Sequence, residues 1–161
     1  MEDLGVRSVS IQVGIGYDSH RFEEGRQLVL GGVEIPAERG LTGHSDADVL
    51  THAIIDSLLG AAGLGDIGSH FPDDDETFRD AVSIDLLRTV VGMVGGTIVN
   101  VDATLVLESP RLRDHRAQIE AKLGQVLGTR VTVKATTNEG MGWIGRGEGI
   151  ACFAVSSVEV A

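Results

Sequence analysis

The chain has 161 residues, 42% of them hydrophobic, and carries 24 acidic against 13 basic side chains for a net charge of −11. This length favours a single domain over 1–161 with a substantial core, and the apolar content excludes a disordered chain. The acidic balance argues against binding to nucleic acid or to an anionic membrane, because both need clustered Lys and Arg. The single cysteine, Cys152, excludes an internal disulfide and favours a reducing cytosol.

The N-terminal segment "MEDLGVRSVS" has no basic region followed by an apolar one. No run of residues approaches the roughly 18 apolar positions that a membrane-spanning helix needs. We therefore expect a soluble protein of the bacterial cytoplasm, favoured over a mature plastid form, with residues 1–9 as a flexible extension of the catalytic domain.

The first half of the chain alternates between strand and helix patterns. "SVSIQVGIG" has apolar residues at every second position, which predicts a core strand, and "QLVLGGVEI" predicts a hairpin turning at Gly31 and Gly32. Ser45, with Asp48 three positions later, resembles a capping box and predicts the start of a helix. The apolar stripe that follows predicts that this helix continues to about residue 60 or 63.

The second half repeats this alternation. "SIDLLRTVVGMVGG" predicts a second helix, and Ser109 as N-cap with Pro110 at the first helical position predicts a third. "TIVNVDATLVLES", "VTVKATT" and "IACFAVSSVEVA" predict strands. This order favours an α+β fold in which one mixed β-sheet is covered on one face by about three helices.

Three potential metal ligands occur on the first strand and the first helix. Asp18 and His20 are two residues apart, so their side chains share one side of an extended segment. His52 lies on a polar line of the helix, with Asp48 and Asp56 one turn away on either side. One carboxylate and two imidazoles are a ligand set that zinc accepts with its fourth position open. Asp48 or Asp56 is then a candidate to accept a hydrogen bond from the remaining N–H of His52, and the alternative is that these two residues only keep the helix surface soluble. For Asp18 and His20, the alternative is a solvent-exposed pair at the end of a strand.

Two polar segments flank the first helix. His44 and Ser45 precede it, where free backbone amides favour a phosphate; the alternative is a capping serine beside an incidental histidine. Asp66, Asp73 and Asp75 lie among turn residues in "DIGSHFPDDDE". Their carboxylates can accept hydrogen bonds from sugar or polyol hydroxyls, or can simply be solvated.

A further group lies in the glycine-rich segment "KATTNEGMGWIGRGEG". Thr136 and Thr137 precede Glu139 and Arg146, so hydroxyls, a carboxylate and a guanidinium follow one another along a pliable backbone. This combination suits a diphosphate with a bridging hard cation such as Mg²⁺. A mobile surface loop is the alternative interpretation.

Four long motifs, taken together, resemble one enzyme family. "GIGYDSHRF", "GHSDADVLTHAIIDSLLGAAGLGDIGSHFPDDD", "NVDATLVLESPRL" and "VKATTNEGMGWIGRGEGIA" are similar to the 2-C-methyl-D-erythritol 2,4-cyclodiphosphate synthases of the non-mevalonate isoprenoid pathway. The resemblance covers nearly the whole chain after residue 9. It implies a homotrimer of α+β subunits with active sites between neighbours. It also implies conversion of 4-diphosphocytidyl-2-C-methyl-D-erythritol 2-phosphate to the cyclic diphosphate with release of CMP.

The resemblance also implies roles for particular residues. Asp18, His20 and His52 match zinc ligands, and Glu139 matches a ligand of a second divalent cation, Mg²⁺ or Mn²⁺. His44 and Thr137 match residues that stabilise the transition state. The remaining matches contact the substrate's phosphates, ribose, methylerythritol and cytosine: Ser45, Asp66, Ile67, Gly68, Phe71, Asp73, Asp75, Pro110, Arg111, Leu112, Arg113, Ala135, Thr136, Trp143 and Arg146.

The chain departs from the family pattern at a few positions. Arg111 stands where a lysine is common, Gly140 follows Glu139 where many members have a lysine, and "FRDAVS" replaces the more usual "FKGADS". Trp143 often corresponds to phenylalanine, a change that would reshape the cavity at the three-fold axis where the resemblance implies an isoprenoid diphosphate. These departures concern substrate contacts and rate and leave the zinc ligands untouched.

Two rival functions use the same residues. A metal phosphohydrolase would use a zinc-bound water at Asp18, His20 and His52 and would release phosphate without forming a ring. A trimer that only senses isoprenoid diphosphates would be expected to lack one of the metal ligands, yet all are present, Glu139 included.

Overall fold

The computed structural model describes residues 9–72 and 74–160, so most of the extension expected at 1–9 lies outside the described residues. The described chain contains seven strands, five helices and one 3₁₀ turn. In chain order they are β1 (Ser10–Glu24), β2 (Leu28–Leu30), β3 (Val33–Ile35), β4 (Arg39–Leu41), α1 (Val49–Ala62), α2 (Ile67–His70), the 3₁₀ turn (Glu76–Phe78), α3 (Ser83–Met93), β5 (Thr97–Val106), α4 (Arg116–Leu127), β6 (Val131–Thr136), α5 (Gly142–Gly145) and β7 (Gly149–Val160).

Five strands form one mixed sheet in the order β4-β1-β7-β5-β6. The β5–β6 pair is parallel and the other pairs are antiparallel. The remaining two strands, β2 and β3, form the predicted hairpin, in which Gly31 and Gly32 have φ of 60° and 69°. The predicted α+β fold with one mixed sheet is confirmed.

Helix α1 packs directly on β1 and β7. Gly14 and Gly16 of β1 are both buried beneath it, and a Cβ on Gly16 would lie 1.9 Å from the carbonyl oxygen of Ala53. The helix therefore approaches the strand backbone more closely than any side chain on Gly16 would allow. Helix α3 packs against α1 and α4, and α4 packs against β6.

The opposite face of the sheet exposes the apolar residues of β1. Ile11, Val13, Ile15 and Tyr17 are 53%, 64%, 71% and 49% exposed. The regular alternation of "SVSIQVGIG" correctly predicted a strand, but its glycines, and not its aliphatic residues, face the core. Since the alternation alone does not say which side faces the helices, the sequence suggested the wrong side.

Helix α1 begins later than predicted. Its N-cap is Asp48, whose carboxylate accepts a hydrogen bond from the backbone N–H of Thr51 at 3.0 Å. Ser45 instead accepts from the N–H of Ala47 at 3.1 Å, in a turn that precedes the helix. Ala47 has a left-handed φ of 54°, so a right-handed helix cannot run through it from Ser45.

Helix α4 also begins later, at Arg116, and the prediction of Ser109 as N-cap and Pro110 as the first helical residue was wrong. Leu112 is buried in the core, and its carbonyl oxygen accepts hydrogen bonds from the N–H groups of His115 and Arg116. The chain therefore turns inward and buries Leu112 before helix α4 starts.

The sequence patterns did not predict three short elements that lie inside predicted loops, namely β4, α2 and α5. Within the described ranges, no helix combines the length and apolar character that crossing a membrane requires.

Candidate functional site

Asp18 and His20 are positioned by the glycine face of β1. Alternate residues of a strand share a side, so both project from the same face as Gly14 and Gly16. That face lies against α1, which brings His52 to the strand. The absence of side chains at Gly14 and Gly16 therefore sets the distance between β1, which carries Asp18 and His20, and α1, which carries His52.

The three side chains converge as predicted. Asp18 Oδ2 lies 2.9 Å from His20 Nε2 and 3.2 Å from His52 Nδ1, and the two imidazole nitrogens are 3.3 Å apart. A tetrahedral zinc ion with ligands at about 2.0–2.1 Å places neighbouring ligand atoms roughly 3.3 Å apart. The cluster therefore fits a divalent metal ion, and it is the one group of three or more potential ligands found within the part of the chain that the structure describes.

Each imidazole of the cluster makes a further hydrogen bond through its outer nitrogen, and for His20 this bond assigns the tautomer. His20 Nδ1 lies 2.7 Å from the carbonyl oxygen of Thr42, which can only accept, so Nδ1 carries the proton and Nε2 presents a lone pair to the cluster. His52 Nε2 lies 2.8 Å from the hydroxyl of Ser83 and 3.3 Å from that of Ser45. The metal-facing nitrogens are thus Nε2 of His20 and Nδ1 of His52.

The outer partner of His52 corrects the sequence prediction, which named Asp48 or Asp56. Asp48 is fully buried and accepts from the N–H groups of Gly31 and Gly32 at 2.9 and 2.7 Å, in addition to capping α1. The carboxylate of Asp48 thus connects the β2–β3 hairpin to the start of α1, and it does not lie on a solvent-exposed polar face with His52. Asp56 instead accepts from the N–H of Ile67 at 2.8 Å.

Ser83, which does contact His52, hydrogen-bonds to the carboxylate of Asp46. Neither residue carried a signal in the sequence, because they lie 37 positions apart and meet only through tertiary packing. The backbone strengthens this contact. The N–H of Ser83 donates to Asp46 Oδ2 at 3.2 Å, and the N–H of Asp80 donates to the carbonyl of His44 at 2.7 Å.

The charge of the cluster favours a cation. In the cluster without a metal, burial raises the pKa of Asp18, but hydrogen bonds from His20 and His52, and the positive charge of these imidazoles when they are protonated, outweigh that effect and hold the pKa well below its usual value. Asp56 differs, since burial raises its pKa and the negative charges of Asp66 and Asp18 add to the rise. With a carboxylate and two imidazole lone pairs aimed at one point, the electrostatics call for a cation at that point.

A cavity of 190 Å³ adjoins the cluster. Besides the three metal-ligating side chains, its walls include five of the residues singled out in the sequence: His44, Ser45, Ile67, Gly68 and Phe71. Typical ligand pockets occupy roughly 300–1,000 Å³, so this cavity can hold a phosphate and a small polyol but is small for a whole nucleotide.

The acidic segment beside this cavity uses its carboxylates mainly as caps. Asp66 caps α2 by accepting from the N–H and hydroxyl of Ser69, and these bonds lower its pKa. Asp75 caps the 3₁₀ turn by accepting from Thr77, with the same effect on its pKa. Asp73 lies outside the described residues.

The predicted base-binding residues line a different cavity, of 540 Å³. These are Pro110, Arg111, Leu112 and Arg113, in the connection after β5. The same cavity is also lined by residues predicted to contact other parts of the substrate, at and just after the end of β6: Ala135, Thr136 and Thr137. None of these residues lines the cavity at the metal cluster. The candidate site predicted from the sequence is therefore divided, within one chain, between two cavities.

The last predicted residues surround α5. The hydroxyl of Thr137 donates to Glu139 Oε1 at 3.1 Å, and Glu139 has a left-handed φ of 52°. Trp143 lines a separate surface pocket beside His20, and Arg146 Nε donates to Glu148 at 2.5 Å. In the described part of the chain, Glu139 belongs to no cluster of three or more potential metal ligands.

Comparisons with known proteins agree with this architecture. The profile of the YgbB family matches residues 11–159. A 2-C-methyl-D-erythritol 2,4-cyclodiphosphate synthase of Rubrobacter xylanophilus is 58% identical over 158 residues, covering 93% of this chain and 96% of the relative.

Solved structures with the same fold include two informative examples. The bifunctional IspDF of Campylobacter jejuni superposes with a TM-score of 0.92 at 41% identity, over 96% of this chain and 43% of that longer chain. IspF of Plasmodium falciparum, in a CDP complex, superposes with a TM-score of 0.80 at 34% identity, over 92% of this chain and 96% of that one. The chain therefore belongs to the YgbB family, together with these cyclodiphosphate synthases.

Proposed function

We propose that the protein converts 4-diphosphocytidyl-2-C-methyl-D-erythritol 2-phosphate to 2-C-methyl-D-erythritol 2,4-cyclodiphosphate and CMP in the non-mevalonate isoprenoid pathway. The observation that carries the proposal is the Asp18, His20 and His52 cluster, which shares a cavity with His44 and Ser45 in a member of this family. An oxygen of the 2-phosphate attacks the β-phosphorus, and the bond from that phosphorus to the bridging α–β oxygen breaks. CMP leaves with the bridging oxygen, so no water is consumed.

This reaction asks the protein mainly to position two phosphates and to neutralise their charge. Asp18, His20 and His52 would hold a divalent ion, which we infer to be zinc from the mixed carboxylate and imidazole donors and which would supply Lewis-acid polarisation of a phosphate oxygen. His44 and Ser45 border the same cavity and are the groups we assign to the phosphates. Since phosphoryl transfer spreads charge over oxygens, these contacts contribute by growing stronger in the transition state.

The diphosphate is assigned to the segment after β6. Glu139 would help to hold a second divalent ion, Mg²⁺ or Mn²⁺, because carboxylate oxygens suit hard cations. The hydroxyl of Thr137 already donates to Glu139, so that a phosphate reaching Glu139 also meets Thr137. Thr136 and Ala135 border the adjoining cavity.

Sugar and base contacts complete the assignment. Asp66, Ile67 and Gly68 are assigned to ribose, and Phe71 with the acidic turn containing Asp73 and Asp75 to methylerythritol. The cavity beside residues 110–113 is assigned to cytosine, which backbone groups can recognise by hydrogen bonds.

We infer a homotrimer whose active sites lie between subunits. Two observations support it: the metal and base cavities share no residue within a chain, and the sheet exposes an apolar stripe of Val13, Ile15, Tyr17, Phe153 and Val155. Exposed apolar patches of this kind commonly mark protein interfaces. A neighbouring subunit that covers the stripe can bring the base cavity of one chain to the metal cluster of the next.

Two narrower inferences complete the proposal. Trp143 and Arg146 would face a central cavity that holds an isoprenoid diphosphate, because a guanidinium favours the diphosphate and an indole the apolar chain. The protein would act in the bacterial cytoplasm. Its relatives include bacterial proteins, and its single cysteine is a buried free thiol, which is compatible with a reducing compartment.

The test is ³¹P NMR of the zinc-loaded protein with Mg²⁺ and the proposed substrate. We expect CMP together with a coupled pair of cyclic-diphosphate resonances. His52→Ala should lose bound zinc and turnover together, because it removes one of three protein ligands. His70→Ala is the matched control, since His70 lies outside the cluster and contacts the carbonyl oxygen of Leu64.

Other outcomes would redirect the assignment. Inorganic phosphate without a cyclic product would indicate a metal phosphohydrolase. An unchanged spectrum from a protein with intact zinc and quaternary structure would indicate another substrate or a binding role. Full activity of His52→Ala without bound metal would overturn the role given to the cluster.

A further inference from the structure

We propose that Ser83 and Asp46 are positioning residues that set the tautomer of His52 and thereby create its metal-binding lone pair. The inference concerns the metal site and goes beyond the reaction proposed for it. It rests on the directionality of a chain of hydrogen bonds that links Asp46, Ser83 and His52.

The chain has one consistent set of donors and acceptors. The carboxylate of Asp46 has no proton to give, so the hydroxyl of Ser83 donates to it. With its only hydrogen committed, Ser83 Oγ can only accept from His52 Nε2, 2.8 Å away. His52 must then carry its proton on Nε2, which leaves the Nδ1 lone pair facing Asp18 Oδ2 at 3.2 Å.

The surroundings hold this chain in place. Ser83 is fully buried at the first turn of α3, and its backbone N–H also donates to Asp46. Asp46 receives a weaker contact from the N–H of Asp48, at 3.4 Å. The loop before α1 and the start of α3 thus clamp His52 from the side opposite the metal cluster, as expected of groups that orient a metal-ligating histidine.

Ser83→Ala is the first test. Loss of the acceptor leaves His52 Nε2 with the more distant hydroxyl of Ser45 at 3.3 Å. We expect the zinc dissociation constant, measured by competition with a chelator, to rise by about 10- to 100-fold. Ser57→Ala is the matched control, since it removes another fully buried hydroxyl, on the same helix as His52 but bonded to Ile54 and Ser156. It should retain zinc affinity.

The tautomer itself is read from the ¹⁵N shifts of the histidine side chains in metal-free protein. Wild type should show His52 protonated at Nε2, and Ser83→Ala should show a mixture. Asp46→Asn provides a second variant of nearly unchanged shape. The N–H of Ser83 approaches Asp46 Oδ2 more closely than that of Asp48 approaches Oδ1, so the new NH₂ group is expected at the Oδ1 position.

From the Oδ1 position an amide donates to Ser83 Oγ and frees the serine hydrogen for His52 Nε2. Asp46→Asn should therefore shift the His52 proton toward Nδ1 and weaken zinc binding while the melting temperature stays close to that of Ser57→Ala. Wild-type zinc affinity together with an unchanged His52 tautomer in both variants would overturn the proposal. A fall in melting temperature with both of those quantities unchanged would also overturn it, because that result describes a purely structural role.

Discussion

The two faces of strand β1 differ in their residue types and in how they pack. On its even-numbered side Gly14 and Gly16 lie buried beneath α1, and Asp18 and His20 follow with ligand atoms that converge with His52 of α1. Its odd-numbered side is aliphatic and aromatic and lies open. In this strand, therefore, the apolar side is not the side of the subunit's own core. Close helix packing, and with it the metal cluster, depends on the absence of side chains.

Gly16→Ala should produce the largest effect on this comparison. The added Cβ would meet the Ala53 carbonyl at 1.9 Å, so α1 must move away from the sheet and carry His52 with it. We expect the free energy of unfolding to fall by about 3 kcal/mol or more, which is the upper end for overpacking, and the melting temperature to fall by roughly 6–12 °C. Calorimetry and zinc stoichiometry measure the two consequences.

The matched control is the same change at Gly60, in α1 itself. A Cβ on Gly60 would meet its nearest neighbour, Gly14 Cα, at an ordinary contact distance of 3.7 Å. Gly60→Ala should therefore be neutral or stabilise by up to about 1 kcal/mol through helix propensity. Equal behaviour of the two variants would refute the close-approach explanation.

Ile15→Lys tests the open face. A charge at the centre of the apolar stripe should prevent the proposed trimer, so that sedimentation equilibrium gives a mass near the 16.9 kDa of one chain. Turnover should fall by about 100-fold or more as the two cavities lose their alignment. Bound zinc should be retained, because all three ligands belong to one chain.

Leu64→Lys is the control for this change, since Leu64 is an exposed apolar residue in the connection between α1 and α2, away from the stripe. It should assemble and turn over substrate normally. A fully active, trimeric Ile15→Lys protein would place the subunit contact elsewhere.

The smallest effect is expected from thiol labelling, which compares the two faces without disturbing the fold. Cys152 pairs with Asp18 on the helix-covered side, where burial and the negative charge of Asp48 raise the pKa of its thiol. Native protein should therefore react with a thiol reagent only on unfolding. In Val155→Cys, the new thiol on the open face should be protected in the trimer and should react when Ile15→Lys is added. Rapid labelling of Cys152 in native protein would contradict the assigned faces.

Local geometry explains what could be predicted from the sequence. The i, i+2 spacing is sufficient to bring Asp18 and His20 together, and the polar position of His52 on an amphipathic helix was enough to add the third ligand. The hairpin at Gly31 and Gly32 followed from turn chemistry in the same way.

What could not be predicted depends on tertiary contacts. Asp48 looked like a solvated helix residue, but the hairpin glycines supply backbone donors that let its carboxylate be buried. The partnership of Ser83 with Asp46 has no periodic signature. The division of the site between two cavities likewise emerges only when the chain is folded.

That division has a genetic consequence under the proposed assembly. Each chain would give its metal cluster to one active site and its base cavity to another, so one defective subunit would damage up to two sites. Conversely, two inactive alleles, one changed at His52 and one in the base cavity near Arg113, should complement each other. In mixed trimers, an intact active site would form wherever an unaltered metal cluster of one chain meets an unaltered base cavity of another.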